Sequence, residues 1–214
     1  CGDQKMKKTS LHQINTQKYW DDCYKKENAE EKQRIDAERL NYLKKWVEIR
    51  HKELERNVNF MDAGCGTGEA GVFLKKTCGF DWIDYTGLDI SEYAIEKTIQ
   101  NVPGSIVRRG NIENEPFNPC AFDVVWCGET LEHTTDANLC LDHLAGLTGA
   151  KGFLIISTPY RGRNRSSEHP WEFEPADFGE WGKRLGELCF LDVSVAGYIS
   201  MFGVIRISKG LELT

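Results

Sequence analysis

The stretch that most constrains this chain is FMDAGCGTG at residues 60–68: an apolar pair, an acid, an alanine, then glycines at 64, 66 and 68. An apolar run that breaks into alternating glycines reads as a strand ending in a tight turn. Glycine accepts the left-handed backbone such turns impose and lets a ligand come close to main-chain atoms. The helix expected next begins with unpaired N–H groups, which favour an anionic group at that junction. In a doubly wound sheet this place is the carboxyl end of the first strand, beside the switch point where ligands sit.

The rest of the chain agrees. Strand VNFMDAG is followed by helix EAGVFLKKTCG, stopped by Gly79, and DYTGLDI by SEYAIEKTIQNV, stopped by Pro103 and Gly104. SIVRRGN and FDVVWCG read as strands, DANLCLDHLAGL as a helix, and FLIIST as a short buried strand of the parallel kind. PADFGEWGKRLG is helical, and CFLDVSVAGYI and MFGVIRIS are two β-rich runs separated by a single serine. Alternation of this sort predicts a parallel α/β sheet with helices on both faces. Two strands so close in sequence pair antiparallel, so the sheet closes with a hairpin. Upstream, Arg34–Arg56 lacks Gly and Pro and repeats Ile35, Tyr42, Trp46 and Ile49 at helical spacing. Residues 1–57 are therefore expected to form an N-terminal helical extension, a lid or pocket wall, on a core at 58–210.

Composition excludes some function classes. The 214 residues are 40% hydrophobic, enough for a substantial core in one folded unit. A net charge of −6 argues against generic binding to nucleic acid or anionic membrane, although a local basic patch is compatible with it. The longest purely aliphatic or aromatic run, Phe153–Ile156, is far short of a membrane span. The start, CGDQKMKKTS, has no apolar stretch behind its lysines, so no signal peptide is expected. Eight cysteines occur singly with no C-x-x-C pair, the pattern of reduced thiols in a cytoplasmic protein.

The dinucleotide fingerprint needs its third glycine at position 69, which here is Glu69. The third glycine falls at 68 instead, and Asp62 precedes the turn. This D-x-G-x-G-x-G resembles the loop of class I S-adenosylmethionine-dependent methyltransferases, and the resemblance runs over roughly residues 17–210. It implies a Rossmann-like, seven-stranded, mostly parallel sheet with a C-terminal antiparallel hairpin and helices on both faces. It also implies a cofactor site, S-adenosylmethionine, position by position. Asp62 and Ala63 lead into the loop, and Gly64, Cys65 and Gly66 line the methionine part. Asp89, in GLDIS, accepts from both ribose hydroxyls, and Ile90 packs on the adenine. GNIEN (110–114), with Asn111 and Ile112, reads the adenine edge. The family usually has an aspartate where this chain has Asn111; an amide oxygen can still accept from the exocyclic amine. YWDDCY resembles the aromatic-acidic segment that closes over the cofactor, with Tyr19 and Trp20 as lid residues.

A sulfonium is already an activated methyl donor. The enzyme must hold a nucleophile in line, desolvate the site and, for a hydroxyl, remove a proton. The candidates are Glu129, Glu132 and His133, in ETLEH after the fourth strand, and His169, in SSEHPWEFEPADF. E-x-x-E-H followed by H-x-x-x-F resembles two families. One is the small-molecule O-methyltransferases of the ubiquinone-biosynthesis type; the other is the small-RNA methyltransferases that modify a 3′-terminal 2′-oxygen. The second implies a divalent ion held by Glu129, Glu132, His133 and His169, a donor set that suits Mg²⁺ or Mn²⁺ better than zinc. Both substrates present neighbouring oxygens, which a metal could chelate while acidifying the attacking hydroxyl. Metal-free methyltransferases carry similar acid-His endings, with the histidine as base or pocket wall, and that alternative stands.

YRGRNRSS (160–167) supplies Arg161 and Arg163, which either clamp an acceptor phosphate or carboxylate or belong to a solvated loop. Trp171 either walls the acceptor pocket or pins its loop to the core. The expected activity is methyl transfer to a small-molecule hydroxyl, with His133, Glu129 and His169 as catalytic residues. RNA 3′-end methylation is the less favoured alternative, because the chain is acidic and has no separate RNA-binding domain. A non-catalytic cofactor-binding subunit is the alternative from a different class. Neither a membrane nor a partner protein is implied.

Overall fold

The computed structural model describes residues 16–26, 29–79, 81–160, 169–193 and 200–208. Strands β1 (Val58–Ala63), β2 (Ile83–Asp89), β3 (Ile106–Arg109), β4 (Phe122–Gly128) and β5 (Thr148–Pro159) run parallel. β7 (Ser200–Ile207) lies antiparallel on β5, and β6 (Gly186–Asp192) antiparallel on β7. The spatial order β3-β2-β1-β4-β5-β7-β6 reverses between β1 and β4, which opens a crevice above their carboxyl ends. Among the described residues the helices are α1 (Gln17–Tyr24), α2 (Ala29–Leu54), α3 (Glu69–Cys78), α4 (Glu92–Asn101), α5 (Ala137–Leu147) and α6 (Pro175–Leu185), and one 3₁₀ turn spans Leu131–His133.

The seven-stranded sheet with its closing hairpin is as expected. Its two faces follow from the strand period of two. Along β4, Val125 and Cys127 join the layer under α5 and α6, while Val124 and Trp126 join the layer under α2 and α3. On α2, Leu40, Leu43 and Val47 recur at helical spacing and are buried against the second layer. Gly79 ends α3 as expected, and Ser91 caps α4 by accepting from Ala94 N.

The hairpin departs from the expectation in one respect. β6 begins at Gly186, directly out of α6, and Ser200 lies inside β7 rather than between the strands. At that start a Cβ on Gly186 would run into the Arg206 carbonyl oxygen, so the close pairing with β7 needs glycine there. Among the described residues all seven cysteines are free, and no helix is long and apolar enough to cross a membrane.

Candidate cofactor and acceptor site

The turn after β1 is built as its glycines require. Gly64, Gly66 and Gly68 have φ of +80°, +53° and +89°. A Cβ at Gly64 would come within 2.4 Å of the Thr130 side chain, which descends from the end of β4. Gly64 N and Cys65 N both donate to the Leu88 carbonyl, at 2.8 and 2.9 Å, tying the turn to β2.

Asp89 completes that tie. Its Oδ1 accepts from Ser91 N at 2.9 Å, and its Oδ2 accepts from Gly66 N at 2.9 Å and from the Tyr24 hydroxyl at 3.3 Å. Burial raises its pKa, and these hydrogen bonds oppose the rise. Asp62 is buried beneath the turn and accepts from the Tyr85 hydroxyl at 2.6 Å. Burial pushes Asp62 up to about 7; the Tyr85 bond lowers it, and the charges of Glu69 and Asp89 add to the rise.

At the end of β4 the chain turns through Glu129, a non-glycine residue at φ +50°. Glu129 Oε1 accepts from Arg39 Nη1 at 2.6 Å, Ser157 Oγ at 2.9 Å and Ser200 Oγ at 3.1 Å. Donors from α2, β5 and β7 thus converge on one carboxylate oxygen. The following 3₁₀ turn directs Glu132 into the protein and leaves His133 at the cavity wall.

Ligand-type atoms of Glu132, His133 and His169 all lie within 4.8 Å of one another. The rings of His133 and His169 are 4.8 Å apart, and Trp20 meets His133 edge-to-face at 4.8 Å. Burial, then the charge of Glu129, raises the Glu132 pKa well above the usual range, against the pull of Arg39. Glu132 Oε2 and the Thr158 hydroxyl both lack a hydrogen bond of good geometry, although Thr158 is near enough to favour the ionised carboxyl.

One cavity joins these parts. Asp89, Ile90, Asn111 and Ile112 line it at the ends of β2 and β3, and Asp62, Gly64, Cys65 and Gly66 line it at the turn. Trp20, Arg39, Glu129 and His133 line it beyond β4.

Residues 61–156 match a family profile described as a methyltransferase domain, a stretch running from β1 into β5. Residues 61–156 carry a methyltransferase domain. Over 124 residues it is 28% identical to a malonyl-[acyl-carrier protein] O-methyltransferase of Erwinia pyrifoliae, covering 58% of this chain and 46% of that protein. Over 94 residues it is 31% identical to the O-methyltransferase resE of Aspergillus sclerotiorum, covering 41% of this chain and 34% of that one. The chain thus spans less than half the length of the curated relatives it matches. Among solved structures, the magnesium protoporphyrin IX methyltransferase (ChlM) from Synechocystis PCC 6803, with bound SAH, shares the fold. Its TM-score is 0.65 at 17% identity, covering 89% of this chain and 97% of that one.

The methyltransferase domain brings most of the expected residues to the cavity, though not all. Ala63 is fully buried within β1 and is not among the lining residues. Tyr19 packs edge-on against Trp20 at 5.4 Å rather than lining the cavity; Tyr24, one turn further on, does line it. Asn111 Oδ1 accepts from Glu113 N at 2.9 Å, so one of its two lone pairs is engaged in a local turn. The Trp171 indole N–H donates to the Thr134 carbonyl at 2.8 Å, which pins the segment after His169 to the 3₁₀ turn. Arg161 and Arg163 lie outside the described residues.

Among the cavity residues not singled out from sequence, Arg39 and Tyr24 bond to its acids. Arg39 is a cation inside the apolar stripe of α2, four residues before Leu43, and that misplacement was its legible signal. Tyr24 was visible only as one of three clustered aromatics.

Proposed function

We propose that this protein transfers the methyl group of S-adenosylmethionine to a hydroxyl oxygen of a small molecule. The observation that carries the reading is the single cavity, which joins the glycine turn and Asp89 to Glu129 and His133. The charge of its wall fits the cofactor. Asp62, Glu69, Asp89 and Glu129 face Arg39 there, an acidic excess suited to a ligand bearing a sulfonium and an ammonium.

Gly64, Cys65 and Gly66 would hold the amino-acid end, with Arg39 as the cation its carboxylate needs. Asp89 would hold the ribose, and Ile90, Asn111 and Ile112 the adenine. When bound, the cofactor supplies a methyl group activated on sulfur. The protein's task is then positioning, drying and proton removal. His133, held between Trp20 and His169, is the base for the acceptor hydroxyl. Glu129, fixed by three donors, shapes the wall beside it. Helices α1 and α2 act as lid and pocket wall, since Trp20, Tyr24, Arg39 and Leu40 come from them. Arg161, Arg163 and Trp171 belong to the segment that would select the acceptor. Oxygen as the accepting atom draws support from the names of both curated relatives. Free thiols in the described residues fit a cytoplasmic setting.

A metal-assisted version has its own observation. Glu132, His133 and His169 present a clustered oxygen and nitrogen donor set, and Glu132 Oε2 is buried without a hydrogen bond. Such residues fit Mg²⁺ or Mn²⁺. A bound ion would acidify a chelated hydroxyl. Glu129, turned toward Arg39 and the two serines, stands outside this cluster.

The test is methyl transfer from isotopically labelled S-adenosylmethionine to a panel of catechols, vicinal diols and simple hydroxyl compounds, with Mg²⁺ and with chelator. Labelled O-methyl product is expected. Product on nitrogen or carbon alone, or no product from any hydroxyl compound, would refute the oxygen assignment.

A further inference from the structure

The glycine turn leads into a helix start that is suited to a phosphate, and an acid stands there. Gly68 precedes α3 and supplies no side-chain cap, while Glu69 and Ala70, in the first turn of α3, line the cavity. A helix start of this kind has unpaired N–H groups and favours anions. In dinucleotide-binding sheets it carries the pyrophosphate. Here the first helical residue is itself a glutamate.

The Glu69 carboxylate is aimed over the turn. Its Oε1 accepts from the Thr67 hydroxyl at 2.6 Å. Its Oε2 lies 3.4 Å from the point where a Cβ on Gly66 would stand. Gly66 N donates to Asp89, so Glu69 and the expected ribose acid meet at the same glycine. Among the described residues no lysine lines the cavity, and its arginine, Arg39, is paired with Glu129. A phosphate on the ribose would therefore meet Glu69 without a cation of its own. The amino-acid tail of an S-adenosyl compound differs, because its carboxylate and ammonium sit on one carbon and cancel. A phosphate monoester carries about −1.5 to −2.

We propose that Glu69 selects the ligand by charge. It occupies the anion position at the start of α3 and turns away phosphorylated adenosines, leaving the site to a donor whose tail has no net negative charge. This rests on the cofactor reading above and names the residue that keeps adenine nucleotides out.

The test is competition against S-adenosylhomocysteine, with adenosine and 5′-AMP compared in the wild type, Glu69→Gln and Glu69→Asp. The ratio of the two affinities is read, which cancels any general weakening by the substitution. The wild type should prefer adenosine. In Glu69→Gln that preference should fall by about 5-fold or more, the repulsion between a carboxylate and a phosphate several Å apart in hydrated surroundings. Glu69→Asp, which keeps the charge, should keep the preference. In the wild type alone the preference should narrow as salt is raised, since screening weakens the repulsion. The same ratio in wild type and Glu69→Gln, a Glu69→Asp protein that loses the preference as fully as the amide, or a wild-type ratio indifferent to salt would overturn the selection. A wild-type protein that binds neither S-adenosylhomocysteine nor adenosine would instead refute the cofactor reading itself.

Discussion

Arg39 Nη1 lies 2.6 Å from Glu129 Oε1, joining the N-terminal helix α2 to the turn after β4. The Arg39 side chain is 9% exposed and that of Glu129 30%, so the pair sits at the edge between protein and cavity. Both residues line the cavity beyond β4.

Breaking this pair from either side should be costly, and breaking it from both less so. Arg39→Met leaves Glu129 with its two serine donors but no counter-charge. A loss of about 1–3 kcal/mol is expected in urea unfolding, discounted for the partial exposure of Glu129. Arg39→Met/Glu129→Gln should recover part of it, and a double-mutant cycle with no coupling would show that the pair is ornamental.

Asp62 predicts a pH effect of definite sign. Its folded pKa is about 7, above the unfolded value near 3.9. The folded state therefore binds the extra proton, and stability falls as pH rises from about 4 to about 7. The full penalty is about 4 kcal/mol, by order of magnitude. Asp62→Asn should remove this slope, so the variant without ligand gains on the wild type between pH 5 and pH 8. The ligand responds the other way. An ammonium beside the carboxylate favours the ionised form, so S-adenosylhomocysteine should bind the wild type more tightly as pH rises through 7, and Asp62→Asn should not show the rise. Urea titrations and calorimetry at the two pH values check both halves.

Two glycine substitutions should diverge. Gly64→Ala meets both a left-handed backbone and the Thr130 side chain, and should cost about 1–3 kcal/mol and most of the ligand affinity. Gly179→Ala, inside α6 with nothing within 4 Å of the new methyl, should stabilise by about 0.5–1 kcal/mol. Thermal unfolding of both variants is the measurement; equal effects would mean the turn is not strained as described.

The metal cluster is tested by titrating Mg²⁺ and Mn²⁺ in the presence of S-adenosylhomocysteine. Wild-type protein should bind one ion, and Glu132→Gln and His169→Ala should each abolish it. No heat with wild type would dismiss the metal and leave His133 as an unassisted base.

Much of the fold was legible because its signals are local. Gly79 and Ser91 act within one turn of their own position, and the alternation along FDVVWCG needs only the strand period. The seven-stranded, mostly parallel sheet with its closing hairpin followed from the same alternation together with the family resemblance. The candidate site was legible where it is backbone-made: Gly64, Gly66, Asp89 and Asn111 stand at strand ends that the sequence marks. It was less legible where distant side chains meet. Glu129 and Glu132 look alike in ETLEH, yet one turns to Arg39 and two serines and the other into the interior beside His169. A left-handed residue at 129 followed by a 3₁₀ turn rotates the two side chains apart, and no propensity announces that.

By itself, then, the sequence determined an α/β sheet with a glycine turn at the switch point, an acid at the end of β2 and an acid-His cluster after β4. These depend on main-chain conformation, which glycines, caps and hydrophobic period dictate locally. Only the tertiary structure decided that Arg39 faces Glu129, that Tyr24 rather than Tyr19 reaches Asp89, and that His169 lies against His133. Each of those contacts joins segments far apart in the chain, and helix and strand packing across the sheet, not local preference, sets which side chains they bring together.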